Sequence, residues 1–142
     1  YITEIIGPLF ECYRKLDRVD EFVEYLRMLV NIYGGISSLL KLTELIAERE
    51  GENAAIRFIS DELKSRPNVK GVDRLIEYTL SKSEGETHDH LKTIKYLTAQ
   101  LIEGRAMYKC SSCGFDAKQL HWLCPGCKSW DTVKPVFGVA GE

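Results

Sequence analysis

Four cysteines near the end of the chain are the residues best equipped for chemistry. They fall in two Cys-x-x-Cys pairs, Cys110/Cys113 and Cys124/Cys127, with ten residues between the pairs. A two-residue gap lets both thiolates of a pair wrap one ion, with the intervening amides turned toward sulfur. Four thiolates complete a tetrahedral shell with no open position, the pattern of a structural rather than a catalytic metal. Gly114, directly after Cys113, suits the positive φ that such a turn demands. Pro125 inside the second pair limits the freedom of that turn.

Other uses of the cysteines are weaker. Two disulfides require an oxidising compartment, and the chain shows no signal peptide. A thioredoxin-like redox pair requires a βαβ context, which the sequence lacks. Zinc is the expected ion, one Zn2+ per chain. Iron is the alternative, because the same four thiolates also build a rubredoxin-type centre.

The elements that must position this site are helical. Ile2, Ile5, Ile6, Leu9, Phe10, Tyr13 and Leu16 follow i, i+3, i+4, i+7 spacing and predict a first helix, which Pro8 is expected to kink or restart. Val19, Phe22, Val23, Leu26, Leu29, Val30 and Tyr33 predict a second, closed by Gly34-Gly35. Ile36 to Ile46 predict a third, ending before Gly51. Ala55, Ile56, Ile59 and Leu63 mark a fourth that Pro67 stops. Val72 to Leu80 mark a fifth, and Leu91, Ile94, Leu97 and Leu101 a sixth, ended by Gly104. Leu29, Leu63 and Leu97 recur at intervals of 34 residues, each in the second helix of a pair. Helix pairs at that period are the tetratricopeptide signature. Asp73 and Glu77 depart from it, standing where apolar residues are expected. The reading is a mainly α chain: a tetratricopeptide-like helical-hairpin solenoid over residues 1–104, then a small four-cysteine module over 105–142. An irregular helical bundle is the plainer alternative for the first part. A single pair buries little, so stacking must supply the core.

The module is too short for a self-sufficient core, so metal binding is expected to supply much of its folding free energy. Tyr108, Phe115, Leu120, Trp122 and Trp130 exceed what so small a ribbon can enclose. Some of them are therefore expected to dock it on the helices.

Charge excludes some functions. The net charge is −2, too near neutral for a nucleic-acid or membrane-surface binder. Residues 1–103 carry 14 Lys/Arg against 18 Asp/Glu, and 104–142 carry 5 against 3. A zinc ribbon for nucleic acid needs a stronger basic face. No apolar run approaches the roughly 18 residues of a membrane span. Because the chain starts at Tyr1 rather than methionine, it reads as part of a longer protein. Cys12 is expected in the core as an inert thiol, His121 at a surface or docking position, and His88 and His90 at a solvated helix start. Glu48-Arg49-Glu50 and Asp20-Glu21 read as solvated faces. No Ser/His/Asp set, Cys/His set or glycine-rich phosphate loop supports catalysis.

The run Tyr108-x-Cys110-x-x-Cys113-Gly114-Phe115, Leu120-x-Trp122-x-Cys124-Pro125-x-Cys127, Trp130-x-Thr132-x-Lys134-Pro135 closely resembles the lipopolysaccharide assembly protein B (LapB, also called YciM) family. The motif covers residues 108–135, and the helical part agrees in architecture. The resemblance implies an N-terminal transmembrane helix and earlier repeats upstream, a tetratricopeptide array and a C-terminal rubredoxin-like module, of which this chain looks like the C-terminal portion. It also implies an adaptor rather than an enzyme, on the cytoplasmic face of the bacterial inner membrane, with this portion soluble. Its expected partners are the protease FtsH, the deacetylase that commits precursors to lipid A, and the lipopolysaccharide-sensing membrane protein YejM (PbgA, LapC). Carried over by residue, Cys110, Cys113, Cys124 and Cys127 are the metal ligands. Size and placement nominate Tyr108, Phe115, Trp122, Trp130, Lys134 and Pro135 for docking the ribbon. The rival reading is electron transfer by an iron centre, although ten residues between the pairs enclose a metal less than rubredoxin's long connection does.

Overall fold

The computed structural model describes residues 2–103, 105–139 and 141. Tyr1 and Gly104, invoked above for the start of the chain and the end of the sixth helix, lie outside the described residues. Among the described residues six helices come first: α1 (Ile2–Lys15), α2 (Val19–Tyr33), α3 (Ile36–Glu50), α4 (Glu52–Ser65), α5 (Val69–Leu80) and α6 (Gly85–Ile102). Three short strands follow, β1 (Tyr108–Cys110), β2 (Asp116–Ala117) and β3 (Val133–Pro135). They form an antiparallel sheet in the order β2-β1-β3, with Tyr108 opposite both Ala117 and Pro135. The architecture is a helical-hairpin stack with a small C-terminal ribbon.

Helix contacts follow solenoid logic. Each helix packs on its sequence neighbours, and α1, α3 and α5 also pack on one another in turn. The odd helices therefore form one continuous layer; α2 and α4 are each wedged between two odd helices, while among the described residues α6 packs on α5 alone. The main core lies where α1, α2 and α3 meet. Phe22, Leu26, Leu42 and Leu45 are fully buried there, and each such side chain contributes about 1.5–3 kcal/mol by leaving water. Phe10, Tyr13 and Tyr25 surround the Phe22 ring at centroid distances of 5.4, 5.5 and 6.5 Å.

Helix boundaries follow local chemistry. Gly34 ends α2 with φ 65°, and its N–H bonds back to Leu29 and Val30 carbonyls. Arg66 then donates Nη1 to the Val30 carbonyl at 2.7 Å, so the loop after α4 seals the end of α2. A Cβ at Gly34 would collide with that guanidinium. Asn68 caps α5, its side chain accepting from Lys70 N–H at 2.9 Å.

Three expectations are corrected. Of the kink or restart expected at Pro8, the restart does not occur: α1 continues from Ile2 through Pro8 to Lys15, with Ile2, Ile6, Leu9 and Phe10 packed at the core on both sides of the proline. Cys12 is exposed rather than buried; it shares its side of α1 with the half-exposed Ile5, away from Ile2, Ile6, Phe10 and Tyr13. The apolar residues of α6 do not enter the core. Thr98 is its one buried residue, while Ile94, Leu97 and Leu101 are each about half exposed.

The α5–α6 contact is polar instead. Lys95 Nζ lies 2.6 Å from Glu77 and 3.4 Å from Asp73. Thr98 donates to Asp73 at 3.0 Å, and Arg74 Nε pairs with Glu77 at 3.1 Å. This network explains why two acids replace apolar residues in the third pair: they bind the last helix by charge. The charge runs at Asp20-Glu21 and Glu48-Arg49-Glu50 also cross-link, through an Arg49–Asp20 ion pair between α3 and α2.

Candidate metal centre

The two Cys-x-x-Cys turns share one backbone design. In the first, Gly114 N–H bonds to the Cys110 carbonyl at 3.0 Å and Cys110 N–H to the Phe115 carbonyl at 2.9 Å. In the second, Lys128 N–H bonds to the Cys124 carbonyl at 3.0 Å and Cys124 N–H to the Ser129 carbonyl at 3.0 Å. The residue after each second cysteine is left-handed, Gly114 at φ 75° and Lys128 at φ 59°. β1 supplies Cys110, and its pairing with β3 brings Thr132 and Val133 beside it. Cys110, Cys124, Tyr108, Ala117 and Val133 make the buried heart of the ribbon, with Met107, Phe115, Leu120 and Cys127 around it.

The four sulfurs face one another within 4.8 Å. Cys110 Sγ lies 3.8 Å from Cys127 Sγ, and Cys113 Sγ lies 3.7 Å from Cys124 Sγ. A tetrahedron with metal–sulfur bonds of about 2.3 Å has edges of about 3.8 Å, so the set fits a four-thiolate ion. No pair is bonded as a disulfide. The first cysteine of each turn is buried, whereas Cys113 is exposed and Cys127 half-buried. Gly126 leaves room for this: a Cβ there would stand 3.3 Å from Cys113 Sγ.

The surroundings favour thiolate at two of the four cysteines. Thr132 Oγ1, 3.3 Å away, is the main influence holding the Cys110 thiol down at about 6, aided by the Cys113 N–H. Ser129, by its side chain and then its backbone, lowers Cys127. At Cys113 the Phe115 backbone N–H pulls downward, but burial and the neighbouring sulfurs push the thiol up to about 11. A cation held by the four sulfurs would offset that mutual repulsion.

Among the described residues, His121 is not part of the sulfur cluster; its ring meets the edge of Phe115 at 6.4 Å. His88 Nδ1 sits 3.1 Å from Ser83 Oγ, and His90 lies 3.8 Å from Glu86. Both belong to α6, remote from the cysteines in sequence and absent from their cluster.

The docking candidates are placed as follows. Tyr108 is buried, and its hydroxyl donates to Glu4 of α1. Pro135 lines a small cavity of about 150 Å³ with Ile2, Thr3, Tyr33 and Phe137. Phe115 packs inside the ribbon, and Lys134 pairs with Asp131 at 2.8 Å. Trp122 and Trp130 keep 55% and 72% of their surface exposed. They are not buried anchors, because the ribbon meets the helices through β1, β3 and the segment after β3. Sequence reasoning missed the main anchor, Asn68. Besides capping α5, it donates Nδ2 to Gly138 O at 3.1 Å and Gly141 O at 3.2 Å, while Val69 N–H donates to Val139 O at 2.7 Å. The only sequence signal was an asparagine next to Pro67 at a helix start.

Residues 108–135 match a zinc-ribbon family of LapB proteins described as a rubredoxin metal binding domain. Over 99% of its length the chain is 30% identical to the lipopolysaccharide assembly protein B of Escherichia coli (strain K12). Over 96% it is 30% identical to the protein of the same name from Haemophilus influenzae. The chain spans about a third of the length of these relatives, 36% and 35%. Among the described residues no helix is long and apolar enough to cross a membrane. The chain thus resembles lipopolysaccharide assembly protein B along nearly all its length and carries the rubredoxin metal binding domain of that family at residues 108–135.

Proposed function

We propose that this chain is the non-enzymatic scaffold portion of a lipopolysaccharide assembly factor, with the ribbon as a structural clamp holding one Zn2+. One observation carries the reading: a closed four-thiolate site sits in a ribbon that ties α1 to α5, through Tyr108–Glu4 and the Val69–Val139 and Asn68 contacts. A closed site offers no coordination position to a substrate. Its contribution is folding free energy, spent on fixing the helices it touches. The array then presents a rigid surface for protein partners, as helical solenoids do. By likeness to the family, those partners are FtsH, the lipid A-committing deacetylase and the lipopolysaccharide-sensing protein YejM. The setting is the cytoplasmic face of the inner membrane, with anchoring by an upstream helix.

The test is Cys124→Ser in the complete protein that contains this chain. Loss of control over deacetylase level and lipopolysaccharide content is the expected result; full control in that variant overturns the clamp. A second reading has one observation in its favour: Cys113 brings an edge of the centre to the surface, as outer-sphere electron transfer requires. Metal content and the visible spectrum of protein expressed without added metal separate the two. One zinc and no colour support the clamp. One iron with thiolate-to-iron bands that bleach and return on redox cycling favours electron transfer or redox sensing.

A further inference from the structure

The end of the helical stack is unfinished on one face. In the first pair, Leu29 of α2 is buried in the core that α2 shares with α3. In the second, Leu63 of α4 lies against Gly71 of α5, so close that a Cβ there would meet its Cδ2 at 2.6 Å. The third residue of this series, Leu97 of α6, is 55% exposed. Ile94 and Leu101, one turn to either side on the same stripe, are equally open. Twice, then, the following helix covers the leucine of this series, and the third time the chain supplies none among the described residues.

The stripe continues into a groove of about 580 Å³, lined by Leu101 together with Val69, Val136, Phe137 and Val139. Phe137 and Val139 are also largely exposed. Ribbon residues form the rim: Arg105, Lys109 and Asp116 line this groove, and Lys118 joins Arg105 and Asp116 in the adjoining hollow. Lys109 reaches Asp116 at 3.8 Å, while Arg105 donates Nε to the Leu101 carbonyl and pairs with no carboxylate among the described residues. Among the described residues, Arg105, Lys109 and Lys118 stand against Asp116 on this rim, a local positive excess although the whole chain is negative.

We infer that the α6 stripe and the groove beside it form a docking site for an amphipathic helical segment of a partner protein, apolar along one face and acidic toward the ribbon. The apolar anchors fill the place that α3 and α5 take on the earlier pairs, and the acids meet Arg105, Lys109 and Lys118. Recognition of this kind is helix-in-groove binding, with charge selecting the partner. The inference rests on the scaffold reading and names its contact surface.

The test is selection from a phage-displayed library of random peptides of about 14 residues, some four helical turns, on the metal-loaded chain. Enriched peptides are expected to combine apolar residues at i, i+3 and i+7 with acidic residues. They should bind Leu97→Asp about tenfold more weakly or worse, and Arg105→Glu should shift enrichment from acidic to basic sequences. All three residues of the stripe and Arg105 are exposed, so the variants should keep helical circular dichroism and metal content. Basic peptides, peptides indifferent to Leu97→Asp, or no enrichment each overturn the site. So does a dimer in light scattering that Leu97→Asp dissolves, since a second copy is then the occupant. None of these results touches the Cys124→Ser test, so the groove can fail while the scaffold stands.

Discussion

Gly114 and Lys128 occupy the same place in two turns of one hydrogen-bond pattern, each following the second cysteine of its pair and each left-handed, at φ 75° and 59°. Only one of them is a glycine. The backbone of the turn, with its amide bonded back to the first cysteine's carbonyl, imposes this conformation whatever the side chain. Lysine at the second turn bears a cost of about 1 kcal/mol that glycine avoids. Lys128→Gly is therefore expected to leave metal content intact and to raise, or at least hold, the ribbon's melting temperature. Gly114→Val places a β-branched residue in the same region and should lower stability by about 1–2 kcal/mol. Thermal melts of the two variants check the pair, and a stabilising Gly114→Val would contradict the shared geometry.

Asn68 is the hinge pin between the helices and the segment after β3. Asn68→Ala deletes an N-cap worth about 1 kcal/mol and two bonds to Gly138 and Gly141 carbonyls. The expected loss is about 2–3 kcal/mol in total, with faster amide exchange at Val69, whose N–H bonds to Val139. Asn68→Asp keeps the cap but not the donors, so it should restore the start of α5 without restoring the Gly138 and Gly141 contacts.

Metal removal should separate the two parts of the chain. Both tryptophans, Trp122 and Trp130, lie in the ribbon, so their fluorescence anisotropy reports on it alone. A strong chelator is expected to lower that anisotropy while far-ultraviolet circular dichroism keeps most of its helical signal. The reason is that the helical core around Phe22 and Leu42 is built without ribbon residues. Loss of the helical signal in step with the anisotropy would show that the stack depends on the ribbon for its fold.

The α5–α6 contact should respond to salt. Lys95 serves Glu77 and Asp73 together, with its side chain about one-third exposed. Lys95→Met removes the shared cation and leaves the two acids facing each other, so destabilisation of about 1 kcal/mol is expected, mostly in α6. High salt should narrow the difference between wild type and variant by screening both. A salt-independent gap would assign the effect to packing of the lysine stem.

The sequence by itself determined the four-cysteine cluster and the helices. Paired cysteines at a two-residue gap specify a local turn, and that turn brings its two sulfurs together almost wherever it is placed; the candidate ligands needed no knowledge of the fold. Apolar spacing likewise set the helices, because period is a property of the local chain. What the tertiary structure decided was which apolar faces found a partner. Leu29 and Leu97 belong to one series in the sequence, yet one is buried and the other open, since burial depends on whether another helix follows in space. Cys12, within an apolar run, was turned outward by a rotation that only packing against α2 and α3 fixes. Trp122 and Trp130, large enough to suggest anchors, stayed in solvent, while a polar side chain, Asn68, joined ribbon to helices. Backbone carbonyls presented by a distant segment carry no residue identity, so no reading of side chains could have found their partner.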